Sequence, residues 1–226
     1  MADTIVTEER AGAAAVGSAR PRIVLAAVVA LALVVGAVVG AAVWGTSSSS
    51  SSPSATSVDV GFVQDMSAHH IQAITMASYT RDYTSNPDIK LLAYDIEDEQ
   101  KFQVGEMQGW LDIWGQARVD PTPMAWMAGH DHVLANGLMP GMATADQLTQ
   151  LKTLHGTALD ILFLQLMIHH HQGGLPMAQY AAQHATQGYV RDLAQAMVTA
   201  QSSEIVTMEQ QLRQLGGTPL PAPPTH

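Results

Sequence analysis

Asp59 to Ala77 reads DVGFVQDMSAHHIQAITMA, and at an offset of 101 residues Asp160 to Ala178 reads DILFLQLMIHHHQGGLPMA. Asp, Phe, Gln, Met, both following histidines, the second Met and the closing Ala coincide without a gap. The same offset pairs Leu92 with Leu193, Gln100 with Gln201, Met107 with Met208, Leu111 with Leu212 and Gly115 with Gly216. A register held over some 57 positions marks a duplicated unit. Each unit reads as a helical hairpin. The first helix is expected from Val58 to Asp82, TSNPD breaks it, and the second runs from Pro87 to Trp114, with Asn86 as N-cap and Pro87 in the first turn. In the second unit the helices are expected over Ala145–Ala185 and Tyr189–Leu215, stopped by Gly216 and Gly217. No stretch alternates as a half-buried strand does. Two hairpins in tandem make an all-α chain, and a four-helix bundle buries four amphipathic stripes most simply.

Upstream of the repeat, Ile23 to Trp44 is 22 residues of Ala, Val, Ile, Leu, Gly and Trp alone. As a helix it is ~33 Å long, matching a bilayer core of ~30 Å, and it exceeds the apolar part of most secretory signals. It reads as a transmembrane anchor over 23–44, with cleavage after small residues such as Ala41 and Ala42 as the alternative. Arg20 and Arg22 precede it and no Lys or Arg follows until Arg81, so the positive-inside rule keeps residues 1–22 in the cytoplasm. A single-pass membrane protein results, its folded domain outside the cytoplasm in the periplasm or cell envelope. Residues 45–57, rich in serine, form a linker; 58–216 is the exported domain and 217–226 a tail.

All of the formal charge of −10 falls beyond residue 22, where 7 Lys and Arg face 17 Asp and Glu. Such a surface repels nucleic acid and anionic lipid and is compatible with attracting cations. The chain has no cysteine, so a metal here needs His, Met or carboxylate ligands.

On a helix, Asp59, Phe62, Met66, His70, Ala73 and Ala77 share the apolar face, with His69 and Met76 on its flank. The repeat places Asp160, Phe163, Met167, His171, Gly174 and Ala178 on the equivalent face, with His170 and Met177 on the flank. In the partner helices Gln100, Gln103 and Met107 form a stripe, as do Gln201, Glu204 and Met208. Imidazole nitrogen with thioether sulfur suits copper, the sulfur favouring Cu(I). A single Met at helical spacing is ordinarily core packing and a lone buried His ordinarily a hydrogen-bonded core residue. Two His-His pairs at one offset, each bracketed by methionines, point to ligands; His169, opposite Ala68, is peripheral. Residues 116–144 join the hairpins through an unusually long connection holding Met124, Trp126, Met127, His130, Asp131, His132, Met139 and Met142. Either it drapes over the bundle and fills an open end, or its soft donors extend a metal path.

The pattern D..F...M..HH..A..MA, followed by Q, E, M and L on the second helix, resembles the bacterial family known as domain of unknown function 305. MPGMAT (Met139 to Thr144) and Leu154, His155, Gly156 and Asp160 resemble it too. The similarity covers about residues 58–216. It implies a ferritin-like four-helix bundle and, from copper- or silver-binding members, copper as Cu(I) or Cu(II). Carried over by position, the ligand set is Met66, His69, His70, Met76, Met107, Met167, His170, His171, Met177 and Met208. Two departures stand out. Gln103 faces Glu204 across the repeat, and Gly173, Gly174 and Pro176 replace Gln72, Ala73 and Thr75. Proline inside a helix removes a donor, so a bend is expected after Gln172, with Met177 in question as a ligand.

Three functions compete. The first is a membrane-anchored protein that sequesters copper or exchanges it with a donor or acceptor protein. A di-iron oxidase would need Glu-x-x-His motifs, and the chain has none, so no enzyme is expected. The third is an accessory subunit of a larger membrane or envelope complex, its histidines forming a hydrogen-bonded interior network.

Overall fold

The computed structural model describes residues 52–127 and 137–223. The expected span 23–44, the segment 1–22, and His130, Asp131 and His132 lie outside the described residues. Among the described residues no helix is long and apolar enough to cross a membrane. There are five helices and no strand among them: α1 (Val58–Tyr83), α2 (Pro87–Trp114), α3 (Ala145–Leu151), α4 (Gly156–His184) and α5 (Gly188–Gln214).

The local chemistry accounts for most boundaries. Ser57 caps α1 by accepting from the Val60 amide, and the Asn86 side chain accepts from Asp88 and Ile89 at the start of α2. Gly115, in the left-handed conformation at φ 68°, closes α2. One expectation is corrected. The helix anticipated over 145–185 is two, because the chain leaves α3 at Lys152 and restarts at Gly156, whose φ of 60° suits glycine and interrupts helical hydrogen bonding. Helix α4 continues through Pro176, so the proline does not end it.

The hairpins α1–α2 and α4–α5 meet through α1 against α4. Reciprocal bonds lock them together. Asp59, at the start of α1, accepts from the Thr186 amide (3.0 Å), the Thr186 hydroxyl (2.7 Å) and the Gln187 amide (2.8 Å), just before α5. Its repeat partner Asp160, at the start of α4, accepts from the Thr84 hydroxyl (2.5 Å), just after α1. Each His-bearing helix therefore begins beside the end of the other, and the central pair is antiparallel.

Two apolar clusters occupy opposite ends of this pair. One holds Phe62, Met66, Met107, Leu111, Met177 and Met197; the other holds Met76, Ile89, Ile96, Phe163, Met167 and Met208. Burying each such side chain contributes roughly 1.5–3 kcal/mol. The long connection seals the first end: Met124, Trp126, Met127 and Met139 join its cluster. Its anchor is Asp65, a residue of α1 with no acidic counterpart in the repeat, which accepts from the Met124 amide (2.6 Å) and the Trp126 indole (2.7 Å). Gln72 closes the other side, donating to Ala143 O (3.0 Å) and accepting from its amide (2.6 Å).

Gly61 is what admits the indole. A β-carbon there would lie 2.4 Å from Trp126 ring atoms. Gly61→Ala is expected to displace Trp126 and destabilise the domain by about 1–3 kcal/mol. Urea denaturation and tryptophan emission check this; an unshifted emission maximum with unchanged stability would mean that the loop is not seated on α1.

Candidate metal centre

Between the apolar clusters lies a polar layer built from the four paired histidines and the glutamines and carboxylate opposite them. His70 Nε2 donates to Gln103 Oε1 (2.7 Å), and Gln103 Nε2 donates to Glu99 Oε1 (2.8 Å), which orients the amide. His171 Nε2 donates to Glu204 Oε2 (2.7 Å), the same contact at the repeat-equivalent positions. The inner pair is held by backbone: His69 Nε2 donates to Pro140 O and His170 Nε2 to His69 O, each at 3.0 Å. The His69 and His170 rings overlap, centroids 3.8 Å apart and 35° from parallel. His170 and His171 rings are 6.2 Å apart.

All four Nε2 atoms thus face oxygens that accept, which assigns the hydrogen to Nε2 and leaves the lone pair of the neutral ring on Nδ1. The Nδ1 atoms of His69, His70 and His171 are buried with no hydrogen-bond partner among the described residues. Gln100 Oε1 and Gln201 Oε1, a repeat-related pair, are likewise unpartnered.

Burial keeps the His69, His70 and His170 rings neutral. Desolvation lowers His69 from 6.5 to about 4, against a raising bond to Pro140 and with His171 adding to the fall. Desolvation takes His70 to about 3, against the bond to Gln103. His170 is pushed well below 6.5, first by burial and then by the neighbouring histidines. At the surface edge, partial burial and then the neighbouring Glu204 raise the Glu99 carboxyl.

All ten residues inferred as ligands are buried, none more than 1% exposed. The structure brings His69, His70, His170 and His171 into one layer and divides the six methionines. Met66 and Met107 share their cluster with Met177, while Met167 and Met208 share theirs with Met76. Because α1 and α4 run antiparallel, each cluster takes its third thioether from the other unit. Met177, in question because of Pro176, is fully buried beside Met66 and Met107. His169 is peripheral and bonds Pro221 O of the tail (2.9 Å). Among the described residues no three His, Asp or Glu side chains converge as a ready-made metal site, so an ion would draw on sulfur or amide oxygen as well.

Two participants were missed in the sequence. Glu99 sits one turn before Gln103, a spacing that was available as a signal. The Pro140 carbonyl belongs to the long connection, and nothing local indicates which imidazole it reaches. Asp59 proves to cap the start of α5 from the other hairpin, and Asp160 to bond the Thr84 hydroxyl just after α1, as described above.

The profile of a domain of unknown function, DUF305, matches residues 59–212. A DUF305 protein of Streptomyces coelicolor is 40% identical, with 74% of this chain and 99% of that one covered at a TM-score of 0.68. A DUF305 fragment from Deinococcus radiodurans is 32% identical, with 70% and 96% covered at 0.60. CopM in its Cu(I)-bound form is 26% identical, with 70% and 98% covered at 0.56. Its Cu(II)-bound form is 28% identical, with 70% and 97% covered at 0.56. No curated protein matches.

Proposed function

The chain belongs to the DUF305 family, and we propose that this member binds copper outside the cytoplasm, through its buried histidine layer and the thioethers flanking it. The observation that carries this reading is the orientation of the imidazoles. Every Nε2–H is spent on a carbonyl, amide or carboxylate oxygen, and three Nδ1 lone pairs are left buried and unused. That is the arrangement in which an outer oxygen fixes the tautomer and raises the basicity of a metal-binding nitrogen.

The donor chemistry fits copper. Imidazole and thioether together suit Cu(I), with imidazole also serving Cu(II), and the likeness to CopM in both copper-bound forms supports the same choice. Copper is cargo here, and ligand exchange rather than turnover is the activity. His69, His70, His170 and His171 supply nitrogen, and Met66, Met107 and Met177 with Met76, Met167 and Met208 supply sulfur on either side. Anchoring through 23–44 would hold the domain where a donor or acceptor protein delivers or collects the ion. The reading as an accessory subunit draws support from large exposed apolar residues on α2, Leu91, Tyr94, Phe102 and Ile113.

Calorimetric titration with Cu(I) and Cu(II) tests the proposal. The double variant His70→Ala and His171→Ala is expected to lose metal affinity by at least about 100-fold, with helix content retained. Unchanged stoichiometry and affinity would remove these imidazoles from the account.

A further inference from the structure

The outer face of α2 carries apolar side chains that the packing of the bundle does not use. Leu91, Tyr94, Phe102 and Ile113 are between 51% and 80% exposed. At 3.6 residues per turn they fall within about 100° of arc, a stripe running ~33 Å along the helix. Gly105 and Gly109 lie in the same band between Phe102 and Ile113, and a β-carbon on either would meet nothing within 4 Å. The ridge is lowered there, so another backbone has room to approach. The duplication supplies an internal control. At the same offset, α5 holds Asp192, Gln195, Ser203 and Gln214, all of them polar and exposed. The fold therefore does not require apolar residues on this face. Four large ones grouped on α2 mark a surface that something else covers.

Charge indicates which partner fits. Helix α2 holds seven Asp and Glu against two Lys. Its ion pairs engage Glu97 and Asp112 and leave Asp88, Asp95, Asp98 and Glu106 without a cation among the described residues. On the helix, Asp88, Asp95 and Glu106 follow one edge of the stripe and Asp98 lies within it. Their repeat counterparts Tyr189, Ala196, Thr199 and Thr207 are uncharged, so the acidic edge and the apolar stripe are absent from α5 together. We propose that this face of α2 docks a helix of a second protein, apolar along one side and lined beside it with Lys or Arg. The apolar side chains, two of them aromatic, supply the buried centre, and the acidic edge selects and orients the basic partner. A second copy of this chain would bring a like-charged edge, and an anionic lipid surface is repelled for the same reason. The proposal is independent of what the histidine layer holds.

The test uses the full chain in nanodiscs of phosphatidylcholine, a neutral lipid, with no detergent to mask an apolar face. The chain has no cysteine, so Ile113→Cys gives a single attachment point for an environment-sensitive dye. The probe is a synthetic peptide helix with leucine along one face and lysine beside it, and its control carries glutamate for lysine. The lysine peptide is expected to bind and shift the dye emission to the blue, and the glutamate peptide to do neither. Tyr94→Gln with Phe102→Ser, and separately Asp95→Ala with Glu106→Thr, place residues of α5 on α2. Each pair is expected to weaken the lysine peptide at least about tenfold, while Val206→Ser on α5 leaves it unchanged. Failure of the lysine peptide to bind, or equal binding to both paired variants, overturns the proposal. So does a dye already shifted before peptide is added, which assigns the face to lipid. A doubled mass in sedimentation that Tyr94→Gln with Phe102→Ser abolishes assigns it to a second copy and overturns the proposal as well. Should that pair lose its fold by circular dichroism, Asp95→Ala with Glu106→Thr decides alone.

Discussion

Replacing Asp59 by alanine is expected to destabilise the domain by about 2–4 kcal/mol, the largest loss from any single side chain outside the apolar clusters. Its carboxylate accepts three hydrogen bonds at the entrance to α5, two from backbone amides and one from a hydroxyl. Helix α5 has no capping side chain of its own, since Gln187 at the N-cap makes no such bond. Asp59 supplies that function from the other hairpin, with a negative charge where the helix dipole favours one. Removing it exposes two amides without an acceptor and unfastens the hairpins together. Asp160→Ala is expected to cost less, because that carboxylate accepts from Thr84 alone and burial raises its pKa. Denaturant unfolding of both variants measures the difference. Equal losses would show that the two reciprocal contacts do the same work, against the asymmetry in their bonding.

Acid is expected to unfold the metal-free domain in the range just below neutrality. His69, His70 and His170 have folded pKa values below their ordinary 6.5, His69 about 4 and His70 about 3, through desolvation first. Above 6.5 neither state binds a proton at these rings, and they impose no pH dependence. Below it the unfolded chain takes up protons that the folded chain refuses, so stability falls with pH. Each ring contributes about 1.4 kcal/mol per pH unit until its folded pKa is reached. His69 and His70 together remove on the order of 4 kcal/mol between 6.5 and pH 5, a large share of the stability of many domains, and His170 acts in the same direction. The loss slows near about 4, where His69 protonates in the folded state as well. Glu99 and Asp160 oppose the trend, since their folded values are raised and the folded state takes up protons there first. Thermal melts from pH 8 to pH 4 check this, and Cu(I) should move the transition to lower pH by occupying nitrogens that the unfolded chain would protonate. A melting temperature flat from pH 7 to pH 5 would contradict the burial of these rings.

The repeat made much of this legible. An offset maintained from Asp59 to Gly115 identified two hairpins, and Asn86 and Pro87 marked the start of α2, while the left-handed cap at Gly115 is a finding of the structure. The break between α3 and α4 was not legible, because helical periodicity runs on through Lys152 to His155 and Gly156 turns the chain by its φ alone. The role of Asp59 was hidden for a different reason. A carboxylate at the head of a helix reads as a favourable charge for its own first turn, and only the antiparallel pairing of α1 with α4 sends it to Thr186 and Gln187.

The amino-acid sequence by itself determined an all-helical chain of two like hairpins, each carrying Met and His-His toward its interior, because helical period and repeat register are local and additive. Only the tertiary structure decided which thioethers keep company and which oxygen each imidazole faces. Those outcomes depend on the direction in which α1 crosses α4 and on where the connection lands. Both are fixed by contacts between residues 59 to 128 positions apart, which no local pattern encodes.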